Sequence, residues 1–349
     1  MMRKLDISAA MPTTISPEAR AFHDSLIVID GHCDTVLDLV GESLSGKRGK
    51  GPRDFFARGS GHVDLPRLVE AGVTCQTMAL FTDTALVGKA TDWTWTLLEA
   101  VEAAFGRNEG FVPARRAEDI REAKRTGRVS GMLAIEGGEA VGGPERGIGN
   151  LEAFHTRGVR LMTLTWSRRN AIGRGVTVEG EDGLTEFGRV VVARMEELGM
   201  IVDASHLADR SLADLLGTAR RPVVASHSNS RELCGHPRNL SDDLARRIAG
   251  TGGLVALTCA GAFIDSDPAK VTFDRFIDHV ERMIDVAGVD HVGIGSDFDG
   301  WDEKDGAALP DCTWFPAVTA ALLARGHSHA QVAAVLGGNW LRVIEDVVG

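Results

Sequence analysis

Five short apolar runs in this chain each end in an ionisable group, and that recurrence limits the fold more than any other feature. Leu26–Ile29 runs into Asp30-Gly-His32-Cys-Asp34, Met132–Ile135 into Glu136, and Ile201-Val202 through Asp203-Ala-Ser to His206. Val223-Val224 leads to Ala-Ser-His227, and Val292 with Ile294 leads to Asp297-Phe-Asp299-Gly300. Runs of this length rich in valine and isoleucine have strand character. Parallel α/β folds build their sites from polar groups at the carboxyl ends of many strands. The pattern therefore predicts an α/β chain of the (β/α)8 TIM-barrel type, with His32, Asp34, Glu136, His206, His227 and Asp297 at its mouth.

The segments between these runs supply the helices. Thr185–Leu198 has apolar positions at Phe187, Val191, Met195 and Leu198, the spacing of one helical face. Helices are also expected over 15–22, 92–105, 118–126, 151–157, 208–218, 241–248 and 272–286. A short one follows Asp64, with that residue as cap and Pro66 in the first turn. Strands over 73–81, 159–164 and 254–258 bring the count to eight, with a buried helix segment as the alternative for the last. Right-handed crossovers then close a barrel. The expected organisation is one catalytic domain over 1–349, with a polar lead-in over 1–24. Helices from about 313 are expected to cover the barrel flank. Segments 41–63 and 167–183 are glycine-rich and aperiodic, and read as loops over the mouth.

At 349 residues and 44% hydrophobic the chain is ample for a large core. Its 49 acidic against 38 basic residues, a net charge of -11, argue against a nucleic-acid surface. Cysteines stand at 33, 75, 234, 259 and 312, an odd number without a CxxC pair. That argues against a disulfide framework and for a reducing, cytoplasmic compartment. No secretory signal or membrane-spanning run is legible. The expected partners exclude nucleic acid and membrane, with a homodimer as a candidate assembly. The glycine clusters match neither a phosphate-binding loop nor a dinucleotide fingerprint, and no serine occupies a G-x-S-x-G elbow.

His32 and Asp34 are two residues apart, so on an extended segment both reach the same side and one cation. His206 and His227, from adjacent strand ends, can converge on a second, and Glu136 can bridge the two. Zinc accepts this mixture of nitrogen and oxygen ligands. Two ions about 3.5–4 Å apart acidify a shared water. Asp297, beside that water, suits a general base. Each residue alone has a blander reading: a hydrogen-bonded His-x-Asp pair, a Glu taking turn amides, a satisfied core histidine. Their joint placement at separate strand ends favours the set. Asp299 fits a turn role better than a catalytic one. Asp30 suits orienting the first-strand loop or a histidine, and Cys33 faces away from the His32 and Asp34 side.

Asp30-Gly-His32-Cys-Asp34, Glu136-Gly-Gly, Asp203-Ala-Ser-His206, Ser226-His227-Ser and Gly295-Ser-Asp297-Phe-Asp299-Gly resemble the motifs of one family. It is the renal (membrane) dipeptidase family, peptidase family M19, of the metal-dependent amidohydrolase superfamily. The resemblance runs from about residue 26 to Leu341-Arg-Val. It implies a (β/α)8 barrel with two zinc ions per chain, His32 and Asp34 on one, His206 and His227 on the other, Glu136 bridging. It also implies proton transfer by Asp297, and a dipeptide whose carboxylate is held by Arg238 of His236-Pro-Arg-Asn. Where mammalian members carry a histidine in Leu-Thr-His, this chain has Leu164-Thr165-Trp166. An indole donates one hydrogen bond and carries no charge. Trp166 is therefore read as a pocket wall, with Arg168, Arg169 or Asn170 as the polar contacts. The implied activity is zinc-dependent cleavage of dipeptides, L-D dipeptides with a D-residue at the C-terminal position included. Deacylation of an N-acyl amino acid, lactone opening and a non-catalytic binding barrel stay open as alternatives.

Overall fold

The computed structural model describes residues 15–41, 52–301 and 306–349. The strands are β1 (Val28–Cys33), β2 (Val73–Phe81), β3 (Phe111–Ala114), β4 (Val129–Glu136) and β5 (Val159–Thr163). Then come β6 (Ile201–Asp203), β7 (Val223–Ala225), β8 (Leu254–Leu257) and β9 (Val292–Ile294). The order is β2-β1-β9-β8-β7-β6-β5-β4, and a parallel ladder from Cys75↔Ser130 to Phe81↔Glu136 joins β4 back to β2. Eight parallel strands therefore close a barrel. β3, which sequence reading missed, lies outside that ring on the amino-terminal half of β4, while β5 takes the carboxyl half of the same edge. Segment 254–257 is a strand, laddered to β7 and β9.

Strand alternation sorts the side chains into two layers. Ile29, Cys75, Met132, Ala134, Leu161, Ile201, Val224, Leu254 and Ala256 form an inner cluster. Their neighbours Val28, Met78, Leu133, Ile135, Met162, Val202, Val223 and Val255 pack outward in a larger cluster with helix residues such as Leu97, Val191 and Phe276. The long helices Ala90–Arg107, Glu186–Leu198 and Phe273–Ala287 fall where apolar spacing predicts them. Thr185 and Thr272 cap the last two by accepting from the amides of Gly188 and Arg275.

The C-terminal helices divide their work. Phe315–Ala324 packs on the flank, where Thr319 meets buried His23 at 2.7 Å. Asn339–Val347 does not lie on the flank; it crosses the amino end of the barrel. Arg342 donates to the carbonyls of Gly252 (2.6 Å) and Asp290 (2.8 Å), and Arg221 donates to Asp346 O (2.9 Å). Gly252, Asp290 and Arg221 all precede strands. Trp340 is fully buried in the inner cluster, and its indole N–H donates to Ile294 O at 2.9 Å. A Cβ on Gly31 or Gly293 would lie 2.2 or 2.9 Å from that indole, so glycine in β1 and β9 makes its seat. With the amino end filled, the other end is left for chemistry. Residues 1–14 of the expected lead-in and 42–51 of the loop expected over 41–63 lie outside the described residues. Among the described residues, no helix is long and apolar enough to cross a membrane.

Candidate active site

The carboxyl ends of five barrel strands bring six of the expected residues together. His32 and Asp34 come from the end of β1, Glu136 from the last position of β4, His206 and His227 from just past β6 and β7, and Asp297 from just past β9. His32 Nε2 lies 3.7 Å from Asp34 Oδ2, 3.6 Å from Glu136 Oε2 and 3.9 Å from Asp297 Oδ1. Glu136 Oε1 lies 2.9 Å from His206 Nε2 and 3.6 Å from His227 Nε2. Glu136 thus stands between two groups, with one oxygen toward each. His206 and Asp297 hold positive φ values of 70° and 64°. Left-handed backbone costs such residues about 1–2 kcal/mol each, and strain of this kind gathers at functional sites.

Side chains around these six residues fix their orientation. Asp203 is fully buried and accepts from Thr163 Oγ1 (2.7 Å), Ser205 N (3.0 Å), Ser226 N (2.9 Å) and Ser226 Oγ (2.5 Å). With its proton given to Asp203, the Ser226 hydroxyl accepts from His227 Nδ1 at 2.8 Å. That leaves the His227 Nε2 lone pair directed at Glu136. Ser167 Oγ meets His206 Nδ1 at 2.8 Å, so a serine hydroxyl also holds the second ring. Sequence reading assigned none of these roles. Ser226 and Asp203 lay within quoted motifs, whereas Ser167 carried no signal. Asp30 serves the scaffold, accepting from Ser296 N (2.8 Å), Ser296 Oγ (2.6 Å) and Gln76 Nε2 (2.9 Å), and so ties β1 to its two neighbours. Asp299 accepts from His62 N, Thr35 Oγ1 and Arg53 Nη2, which fastens the 52–63 segment to the barrel mouth.

The donor set fits divalent cations. Both ring nitrogens of His32 and Asp34 Oδ1 are buried without a hydrogen-bond partner among the described residues. His206 Nε2 and His227 Nε2 face each other at 2.8 Å, a contact that repels where both are lone pairs and that a shared cation would relieve. A Cβ on Gly300 would lie 2.3 Å from both Asp34 Oδ2 and Asp297 Oδ1, so those two oxygens converge on one small space. All six residues are at most 8% exposed, and burying unpaired charge is costly. Burial, with the Arg238 and His32 charges, holds His206 and His227 well below the usual imidazole range, in the neutral form that ligates. Without a cation, burial and the Asp34 charge push Glu136 up to about 8. Burial opposes a charge on His32, but Glu136 and Asp34 outweigh it and raise its pKa well above the ordinary value. The metal-free site thus retains protons that cations would displace.

Arg238 approaches from the loop after β7. Its Nη2 donates to His227 O at 3.2 Å, its Cζ lies 5.3 Å from the Phe263 ring centroid, and its Nε is buried without a hydrogen-bond partner among the described residues. Trp166, in the loop after β5, has its ring centroid 5.8 Å from that of His206 and 5.4 Å from that of Phe81. Asn170 is not brought to the group. Its amide donates to Glu139 Oε2 and Leu164 O and accepts from the amides of Ile172 and Gly173, which braces its own loop. Cys33 is fully buried against Met78, and burial raises its thiol well above the usual range.

Comparison with known proteins gives the same direction. The model of the membrane dipeptidase family (peptidase family M19) matches residues 17–348. The chain is 31% identical over 301 residues to the dipeptidase tcpJ of Claviceps purpurea (strain 20.1), covering 82% of this chain and 70% of that one. It is similar to the solved dipeptidase AC, a family M19 metallopeptidase, at 30% identity and a TM-score of 0.80, covering 93% of this chain and 99% of that one. It also resembles a Rhodobacter sphaeroides metallopeptidase liganded with a phosphinate mimic of the dipeptide L-Ala-D-Ala. That match has 28% identity and a TM-score of 0.79, with 92% of this chain and 99% of that one covered.

Proposed function

The chain belongs to the membrane dipeptidase family (peptidase family M19) and is a metal-dependent dipeptidase; from that premise we propose that it uses two zinc ions to cleave L-D dipeptides. His32 and Asp34 would hold one ion, His206 and His227 the other, and Glu136 both. The observation that carries this reading is Glu136 itself, buried between His32 on one oxygen and the His206–His227 pair on the other. Zinc there would polarise the scissile carbonyl and acidify the attacking water.

The protein's own groups do the rest. Asp297 takes a proton from the water and returns it to the leaving amine. Arg238 grips the dipeptide carboxylate with parallel donors. Trp166 excludes water from the far side. Asp203, through Ser226, keeps the His227 ring in its ligating tautomer. The D-preference is supported by the L-Ala-D-Ala mimic on the Rhodobacter sphaeroides relative. Five free, buried cysteines suit a reducing compartment, and we place the enzyme in the cytoplasm.

Elemental analysis after zinc reconstitution should give about two ions per chain. On the same sample, kcat/KM for L-Ala-D-Ala should exceed that for L-Ala-L-Ala. Full activity in a metal-free preparation would remove the zinc mechanism, and an equal or reversed ratio would remove the L-D assignment.

A further inference from the structure

The three residues after Thr165 leave β5 and each addresses the site differently. Trp166 forms its wall, Ser167 holds His206, and Arg168 lays its guanidinium against the wall, with Cζ 4.6 Å from the Trp166 ring. Both terminal nitrogens of Arg168 are buried and have no hydrogen-bond partner among the described residues. Glu139 Oε1 lies 3.9 Å from Nη2, close enough to attract and too far to accept, and its other oxygen takes Asn170 Nδ2 at 2.9 Å. Other arginines of the same loop are satisfied: Arg169 pairs with Asp182, and Arg174 donates to Asp182 O and Val178 O. A buried guanidinium with idle donors is costly unless something supplies acceptors.

We propose that Arg168, held flat by Trp166, selects dipeptides whose N-terminal residue carries an acidic side chain. The inference rests on the dipeptidase reading and on Arg238 as the carboxylate anchor. Arg238 follows β7 and Arg168 follows β5, on either side of β6 and His206, so the two address opposite ends of a short substrate. Among the described residues Arg168 makes no hydrogen bond or ion pair with the six clustered side chains, which sets it apart from the scissile carbonyl. The α-ammonium at the substrate's N-terminus would be repelled. The acceptor that remains on that residue is a side-chain carboxylate, as in aspartate or glutamate. A guanidinium fork matches it bidentately.

The test compares kcat/KM for Glu-Ala and Gln-Ala dipeptides, each with L- and D-alanine, on zinc-loaded enzyme. The wild type should favour the Glu substrate roughly 10- to 100-fold, the range for a hydrogen-bonded charge pair, mainly through KM. Arg168→Met should bring the ratio near one. Glu139→Gln, which removes the competing carboxylate and keeps an acceptor for Asn170, should raise it. A wild-type ratio near one while both substrates are cleaved would overturn the role of Arg168 and leave the dipeptidase reading standing. So would an unchanged ratio in Arg168→Met. Cleavage of none of these dipeptides, nor of Ala-Ala, would instead bring down the dipeptidase reading. If Arg168→Met is insoluble, the wild-type and Glu139→Gln ratios decide.

Discussion

Asp297 combines a left-handed backbone, φ 64°, with a carboxylate 3.9 Å from His32 Nε2. Asparagine tolerates that backbone at least as well, so Asp297→Asn isolates the chemistry from the fold. Turnover should fall roughly 10²–10⁴-fold, the usual contribution of a positioned acid or base, while metal content stays level. Both are to be measured on one sample: lost metal would make Asp297 a ligand, and full turnover would leave it without a catalytic role. Glu136→Gln should behave differently. Its two oxygens face His32 on one side and His206 with His227 on the other, so occupancy of both ions should drop together. Retention of two ions per chain would end the bridging assignment.

The helix Phe273–Ala287 carries His279 into the packing beneath the Arg238 loop. His279 Nδ1 accepts from Ser230 N at 3.2 Å, and Nε2 donates to Ile264 O at 2.9 Å. Burial pushes its pKa down to about 4, against a smaller opposing pull from the Ile264 hydrogen bond. The folded ring is neutral where the unfolded one, near 6.5, is protonated. The unfolded state therefore binds the extra proton between pH 6.5 and 4, and stability is lost as pH falls through that window. The full loss is roughly 3 kcal/mol, at about 1.4 kcal/mol per pH unit. Urea denaturation of wild type and His279→Gln at pH 7, 6 and 5, at matched metal content, should show the shallower slope in the variant. Equal slopes would mean that His279 charges without unfolding. Elements of this kind were legible to unequal degrees. The strands that lead to Glu136, His206 and His227 were readable because an apolar run stops at, or within four residues before, the site residue. β1 continues past its apolar run through Asp30 and Gly31, held by its ladder to β2, which hydropathy does not record. β3 is four residues long and contains Pro113, a residue that disqualifies a run as an inner strand and suits an edge. The six clustered strand-end residues were readable by position alone. Ser167 and the inward turn of Asn170's amide were not, because a serine or asparagine in a glycine-rich loop acquires its role only from what it touches.

The barrel's two ends carry separate tasks, since catalysis collects at the carboxyl ends of strands and stability at the amino ends. Here the separation is joined by Trp340. Its indole fills the amino end, seats on Gly31 and Gly293, and bonds to Ile294 O. Those contacts lie on β1 and β9, the strands that deliver His32, Asp34 and Asp297 at the other end. Asp297 N also donates to His32 O at 3.0 Å, so the two strands stay coupled up to the site. Trp340→Ala should remove a large buried side chain that Gly31 and Gly293 are too small to replace, at a cost of roughly 3–5 kcal/mol. Trp340→Phe keeps most of the volume and loses the indole hydrogen bond to Ile294 O, for about 0.5–1.5 kcal/mol. If the plug only stabilises, both variants should keep wild-type metal affinity once folded. If it also sets the spacing of β1 and β9, Trp340→Ala should bind metal more weakly at the His32 and Asp34 position while His206 and His227, on β6 and β7, keep theirs. Denaturant titration gives the first quantity, and competition with a chelator, read as two separate dissociation steps, gives the second. A Trp340→Ala protein as stable as wild type would show that the C-terminal helix is not the barrel's plug.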